Sequence, residues 1–166
     1  MVTLYNVVSS DGYIARKDGS EEFIPDELWP STLEFFKHYD VLVMGRKTYD
    51  VMQQYEKEPL KLFEELNIKK VIVTNDKDFQ PKLGYTVSHS PEDVLHMGVN
   101  ILVSSGPTLN NYLFKKKLID KVVLCQIPVS IGEGIRPFAT DIQKSLVLIS
   151  EASIGKSKEL TYQVSD

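Results

Sequence analysis

Val41-Leu42-Val43-Met44-Gly45-Arg46-Lys47-Thr48 decides how this chain is read. Residues 41–44 are an apolar run without alternation, closed by Asp40 and Gly45, which suits a central strand buried on both faces. Gly45 then hands the chain to residues 46–54, which read as a helix. Upstream, residues 2–8 are rich in β-branched side chains and read as a strand, with Asn6 inside it; Ser9-Ser10-Asp11-Gly12 breaks the strand before Tyr13-Ile14-Ala15. Residues 16–22 read as a mobile surface excursion. Ser31-Thr32-Leu33-Glu34 has the spacing of a capping box, opening a helix whose apolar face, Leu33 and Phe36 with Trp29 beside them, runs to His38.

Downstream the alternation continues. Pro59 suits the first turn of a helix bearing Leu60, Leu62, Phe63 and Leu66, and a strand is expected at 70–74 and a weaker one at 85–88. Ser90-Pro91-Glu92 reads as the start of a short helix. Residues 101–104 form another buried strand, ended by Ser105-Gly106-Pro107 and followed by a helix with Leu109, Tyr112 and Leu113 on one face. From Asp120 onward, strands at 122–127, 146–150 and 159–164 follow one another without helices and are expected to be antiparallel. The fold class is α/β: a mixed, mostly parallel central sheet with helices on both faces and an antiparallel C-terminal edge, in one domain over residues 1–166.

Composition narrows the function. Nineteen Lys and Arg against 23 Asp and Glu give a formal charge of −4, so no global positive field favours nucleic acid or anionic lipid. No apolar run approaches the roughly 18 residues of a membrane span, and the first residues read as a strand rather than a signal peptide, so a cytoplasmic location is expected. Cys125, the only cysteine, reads as a small buried hydrophobe within Val122-Val123-Leu124-Cys125. His38, His89 and His96 lack metal-ligand spacing, and no metal is expected.

Ligands of open α/β sheets bind outside the carboxyl ends of the parallel strands. Gly45-Arg46-Lys47-Thr48 places a glycine, two cations and a hydroxyl at a strand-to-helix junction, chemistry that suits a phosphate; a solvated basic pair is the alternative. Ser104-Ser105-Gly106-Pro107-Thr108-Leu109 repeats the arrangement after another strand, so two helix starts could converge on one diphosphate. Thr74-Asn75-Asp76 offers hydroxyl and amide groups, with a carboxylate that would repel a phosphate held against it. Gly132-Glu133-Gly134 lacks the third glycine of a dinucleotide fingerprint and reads as a loop, and neither a Walker A sequence nor a nucleophile elbow occurs.

Val7-Val8-Ser9-Ser10-Asp11-Gly12-Tyr13-Ile14-Ala15, Val43-Met44-Gly45-Arg46-Lys47-Thr48-Tyr49 and Val103-Ser104-Ser105-Gly106-Pro107-Thr108-Leu109 together resemble the dihydrofolate reductase-like superfamily. Leu118-Ile119-Asp120-Lys121, Ile127-Pro128 and Gly132-Glu133-Gly134 bring the likeness nearest to the reductase domain of the bifunctional riboflavin-biosynthesis deaminase-reductase and its stand-alone relatives. The resemblance spans nearly the whole chain. It implies an NADPH-dependent reductase whose cofactor lies across the carboxyl ends of the strands. Gly45, Arg46, Lys47 and Thr48 match the family's first phosphate-binding turn; Thr74 and Asn75 match the segment beside the adenosine 2′-phosphate; Ser105, Gly106, Pro107, Thr108 and Leu109 match the pyrophosphate turn, with Ser105 replacing the first glycine of the usual pair. Ile14 and Ala15 match residues flanking the nicotinamide, and Val7, Asp11, Thr32 and Phe36 fall where the substrate is bordered.

The implied activity is hydride transfer to a C=N or C=O group of a small pterin-, pyrimidine- or ribosylaminopyrimidine-like compound. The proton comes from water or from Asp11, which reads equally as a turn residue. The resemblance also suggests a homodimer. True dihydrofolate reductase is a second reading and would need an altered proton relay. Thr32 stands where that enzyme has its carboxylate, Glu34 lies roughly 200° further round the helix, and Ile68 replaces the arginine for the folate tail. A third reading is an NADPH-binding protein without turnover.

Overall fold

A computed structural model describes residues 1–165 of the chain. Eight strands form one sheet: β1 (Val2–Val8), β2 (Val41–Gly45), β3 (Lys69–Val73), β4 (Tyr85–Ser88), β5 (Ile101–Val103), β6 (Lys121–Gln126), β7 (Leu146–Ile154) and β8 (Ser157–Val164). Their order is β4-β3-β2-β5-β1-β6-β8-β7. The first six positions pair in parallel, while β8 runs antiparallel to both β6 and β7.

The unbroken apolar runs are central strands because each supplies both core layers. Val41 and Val43 of β2, with Ile101 and Val103 of β5, face one layer; Leu42, Met44 and Leu102 face the other. Helices α1 (Trp29–Phe36), α2 (Arg46–Met52) and α3 (Lys57–Glu64) cover the second layer with Leu33, Phe36, Tyr49, Met52 and Phe63. Helix α4 (Pro107–Lys115) covers the first with Leu109 and Leu113. This division follows from right-handed crossovers: β1 to β2 and β2 to β3 step one way along the sheet, whereas β5 to β6 steps the other way. Neighbouring strands β2 and β5 therefore send their helices to opposite faces, which opens a crevice at their carboxyl ends.

Three local expectations change. The capping box does not form: the chain enters α1 through a 3-10 turn, Asp26–Leu28, with Leu28 already in the right-handed helical region, and Ser31 and Thr32 lie within the helix. Thr32 Oγ1 instead donates back to the Leu28 carbonyl at 3.1 Å, and the helix ends at Phe36, short of His38. Residues 90–92 open only a 3-10 turn, Asp93–His96, because the Ser90 hydroxyl is turned to the Glu92 carboxylate at 3.2 Å rather than to a helix N–H. Strand β7 runs to Ile154, since Gly155, with φ of 57°, allows the tight return into β8. No helix among the described residues is long and apolar enough to cross a membrane.

Candidate functional site

The turns after β2 and β5 meet. The Gly45 N–H donates to Ser105 Oγ at 2.9 Å, and Thr48 Oγ1 lies 3.4 Å from the same hydroxyl. A Cβ on Gly45 would stand 3.2 Å from Ser105 Oγ, so glycine is what lets the turns close together. At Gly106 an added Cβ would meet nothing within 4 Å, leaving that backbone open to a ligand. Helix α4 starts at Pro107, so the N–H groups of Thr108 and Leu109 belong to a first turn without intrahelical acceptors. All described peptide bonds are trans, Ser105–Gly106 included. The open backbone at Gly106 and the first-turn N–H groups of Thr108 and Leu109 form a donor set that fits a dinucleotide diphosphate.

Two residues that sequence reading passed over brace these turns. Asn6 Nδ2 donates to the Ser105 carbonyl at 2.9 Å. Asn110, fully buried, directs Nδ2 at the carbonyls of Ser105 and Pro137, at 3.1 and 2.8 Å, and at Asn6 Oδ1, at 3.2 Å. The available signal was an amide on an otherwise apolar strand in one case and on a buried helix face in the other.

On the far side of Gly45, Arg46 is held on three sides. Its Nε donates to both Asp50 oxygens at 3.0 and 3.1 Å, its Nη1 lies 3.4 Å from Asp76 Oδ2, and its Cζ sits 3.8 Å from the centre of the Phe79 ring. Thr74 is tied down at the same place, its N–H to the Ser88 carbonyl and its own carbonyl to His89 Nδ1. Lys47 and Asn75, the chain neighbours of Arg46 and Asp76, are both exposed.

Ile14 and Ala15 are clamped by a bridge to Ile135: the Ile14 N–H reaches the Ile135 carbonyl, and the Ile135 N–H the Ala15 carbonyl, both at 2.8 Å. Asp11 holds the next part of that loop. Its carboxylate accepts from Ser9 Oγ at 2.6 Å, Gly132 N at 2.7 Å, Ser130 Oγ at 3.0 Å and Ile131 N at 3.3 Å. These donors, Ser9 foremost, hold the group well below the usual carboxylate range. Of the two roles left open for Asp11, the geometry favours the turn residue over the acid.

Val7 lies half-buried on β1 opposite Cys125. Thr32 is 5% exposed, and its hydroxyl is 3.5 Å from that of Tyr5. Phe36, at 4% exposure, packs edge-on against both Tyr5 and Phe63, which leaves it little surface to offer a ligand. Tyr5 also stacks on Phe35 at 4.7 Å, and burial pushes its hydroxyl above the usual tyrosine value. Cys125 is buried as expected, its thiol pushed up to about 11 by burial. Glu34 is solvent-exposed and paired with Lys37, on a different face from Thr32. Among the described residues no three His, Cys, Asp or Glu side chains gather as a metal site. Two shallow hollows, of about 320 and 210 Å³, lie around β7, β8 and the amino end of β6, at the opposite end of the parallel strands from these turns.

No protein-family model matches the chain. It is 25% identical to the uncharacterized protein YwjB of Bacillus subtilis (strain 168), over 96% of this chain and 95% of that one. A candidate riboflavin biosynthesis protein from Shewanella sp. PV-4 superposes with a TM-score of 0.76 at 22% identity, covering 99% of both chains. Dihydrofolate reductase of Enterococcus faecalis, complexed with NADP(H), superposes at 0.71 and 20% identity, over 100% of this chain and 97% of that one. The deaminase/5-amino-6-(5-phosphoribosylamino)uracil reductase of Thermotoga maritima matches at 0.72 and 16% identity, this chain spanning 56% of its length. The chain has the dihydrofolate reductase-like fold.

Proposed function

We propose that this chain binds NADPH across the turns at 45–48 and 105–109 and is a reductase of a C=N or C=O group in a small pterin-, pyrimidine- or ribosylaminopyrimidine-like compound. One observation carries the reading. The Gly45–Ser105 contact joins two strand-to-helix turns at the carboxyl ends of adjacent strands whose helices leave to opposite faces, which is the geometry of a dinucleotide crevice. The Enterococcus enzyme of the same fold, complexed with NADP(H), supports it. The nicotinamide supplies the hydride when bound. Gly106, Thr108 and Leu109 would hold the pyrophosphate, Arg46 with Thr74 and Asn75 the 2′-phosphate, and Ile14 and Ala15 would flank the nicotinamide. Val7 and Thr32 would border the substrate. Asp11 stays ionised and spent on loop contacts, so the proton comes from water.

Thr32 weighs against folate as substrate: it supplies no carboxylate, and its hydroxyl is committed to Leu28. We further infer a homodimer that works in the cytoplasm, without nucleic acid, membrane or metal. Titration calorimetry with NADPH and NADH tests the cofactor site. NADPH is expected to bind, and Arg46→Ala to weaken it at least tenfold more than it weakens NADH; equal losses would refute the 2′-phosphate assignment. NADPH oxidation is then followed across pterins, flavin precursors and reducible carbonyls. Turnover blocked by an antifolate would restore the dihydrofolate reading, and binding with no oxidation would leave a binding protein.

A further inference from the structure

Arg46 is the residue that would greet a 2′-phosphate, yet it is met by two carboxylates. Asp50 takes Nε with both oxygens, and Asp76 lies 3.4 Å from Nη1. Asp76 is held in place rather than free to swing away. Its Oδ1 accepts the Asp78 N–H at 3.0 Å, its own N–H donates to Thr74 Oγ1 at 3.2 Å, and its Oδ2 is left facing the guanidinium. Phe79, closing the same turn, stacks on the guanidinium at 3.8 Å and fixes its plane. The side chains are 38% exposed for Arg46 and 53% for Asp76, so a ligand can reach both.

These two groups ask for different ligands. A guanidinium suits a 2′-phosphate, whereas a carboxylate accepts a hydrogen bond from a ribose 2′-hydroxyl. A phosphate monoester carries nearly two negative charges at neutral pH, and a carboxylate in the same contact shell opposes it. Asp50 and Asp76 together more than neutralise Arg46, which lowers the attraction that the cation alone would exert.

Resting on the dinucleotide reading above, we propose that Asp76 sets the cofactor preference: its carboxylate opposes the 2′-phosphate and accepts the ribose 2′-hydroxyl, so that this chain binds NADH as well as NADPH, within about tenfold of each other. Asp76→Asn removes the charge and keeps a side-chain oxygen for the Asp78 N–H. It should tighten NADPH and weaken NADH, shifting the ratio of their dissociation constants toward NADPH by about tenfold. Asp50→Asn separates a direct role from mere release of Arg46: it should tighten NADPH and leave NADH unchanged.

The measurement is calorimetric affinity of the full chain for both dinucleotides at low and high salt, with thermal melts to show that each variant folds. The NADPH gain in Asp76→Asn should shrink as salt screens it. A ratio unmoved by Asp76→Asn, while both dinucleotides bind the unaltered chain, would overturn this inference and leave the cofactor reading standing. Failure of the unaltered chain to bind either dinucleotide would overturn that reading and this inference with it.

Discussion

The carboxylate of Asp11 receives four hydrogen bonds, from Ser9, Ser130, Ile131 and Gly132, across 121 residues of sequence at the longest. An aspartate so placed is a fastening between the 9–15 loop and the 130–135 loop. Asp11→Asn would put an amide N–H where the Gly132 N–H now donates, and should cost about 1–2 kcal/mol, reduced from the full value for a charged acceptor by solvent exposure. The folded-state value lies below the ordinary one of about 4. The stabilisation is therefore complete above that ordinary value and fades as pH falls toward the folded-state value. Urea unfolding of both proteins should show a gap that is constant from pH 8 to about 5 and narrows below pH 4; a gap independent of pH would refute the assignment. Arg46 and Asp76 make the complementary point. Each type of side chain was visible in the sequence, but whether the cation faced solvent, phosphate or carboxylate depended on a turn 30 residues away.

At the scale of elements, α4 is attached through Asn110 as well as through its apolar face. The amide joins α4 to β1, to the turn after β5 and to the Pro137 carbonyl. Asn110→Ala would leave the Ser105 and Pro137 carbonyls with fewer donors in a buried place and should cost about 2–3 kcal/mol in chemical unfolding. Because the Ser105 carbonyl is half of the turn at 105–109, dinucleotide affinity should fall as well; unchanged stability and affinity would show that the network is dispensable. Elements with a strong pattern were legible from sequence: β2 and β5 were recognisable as buried runs, and α4 by Leu109 and Leu113. The start of α1 was not. A serine or threonine ahead of a glutamate resembles a cap in sequence, but capping needs an extended residue there, and the Asp26–Leu28 turn delivers the chain already wound.

At the scale of the whole molecule, one edge of the sheet carries exposed apolar side chains. Strand β7 ends the sheet, and Val147, Leu148 and Ile149 are 54%, 50% and 55% exposed, with a break in register at Ile149. Three adjacent apolar side chains cover both faces of an edge strand, and this is the surface that the proposed homodimer would bury. Sedimentation velocity should give a dimer that Leu148→Lys converts to a folded monomer, since a half-exposed side chain contributes little to the core. A monomer at every concentration would remove the dimer from the proposal.

Local sequence determined the kinds of element, the double burial of the central strands and the chemistry of the turns at 45–48 and 105–109, because periodicity and turn preferences act over a few residues. Tertiary structure alone decided that Gly45 meets Ser105, 60 residues on, that Asn6 and Asn110 brace that meeting from 104 residues apart, and that Asp11 fastens a loop. Such contacts depend on which strands become neighbours and on which face each crossover passes, and no local period carries that information.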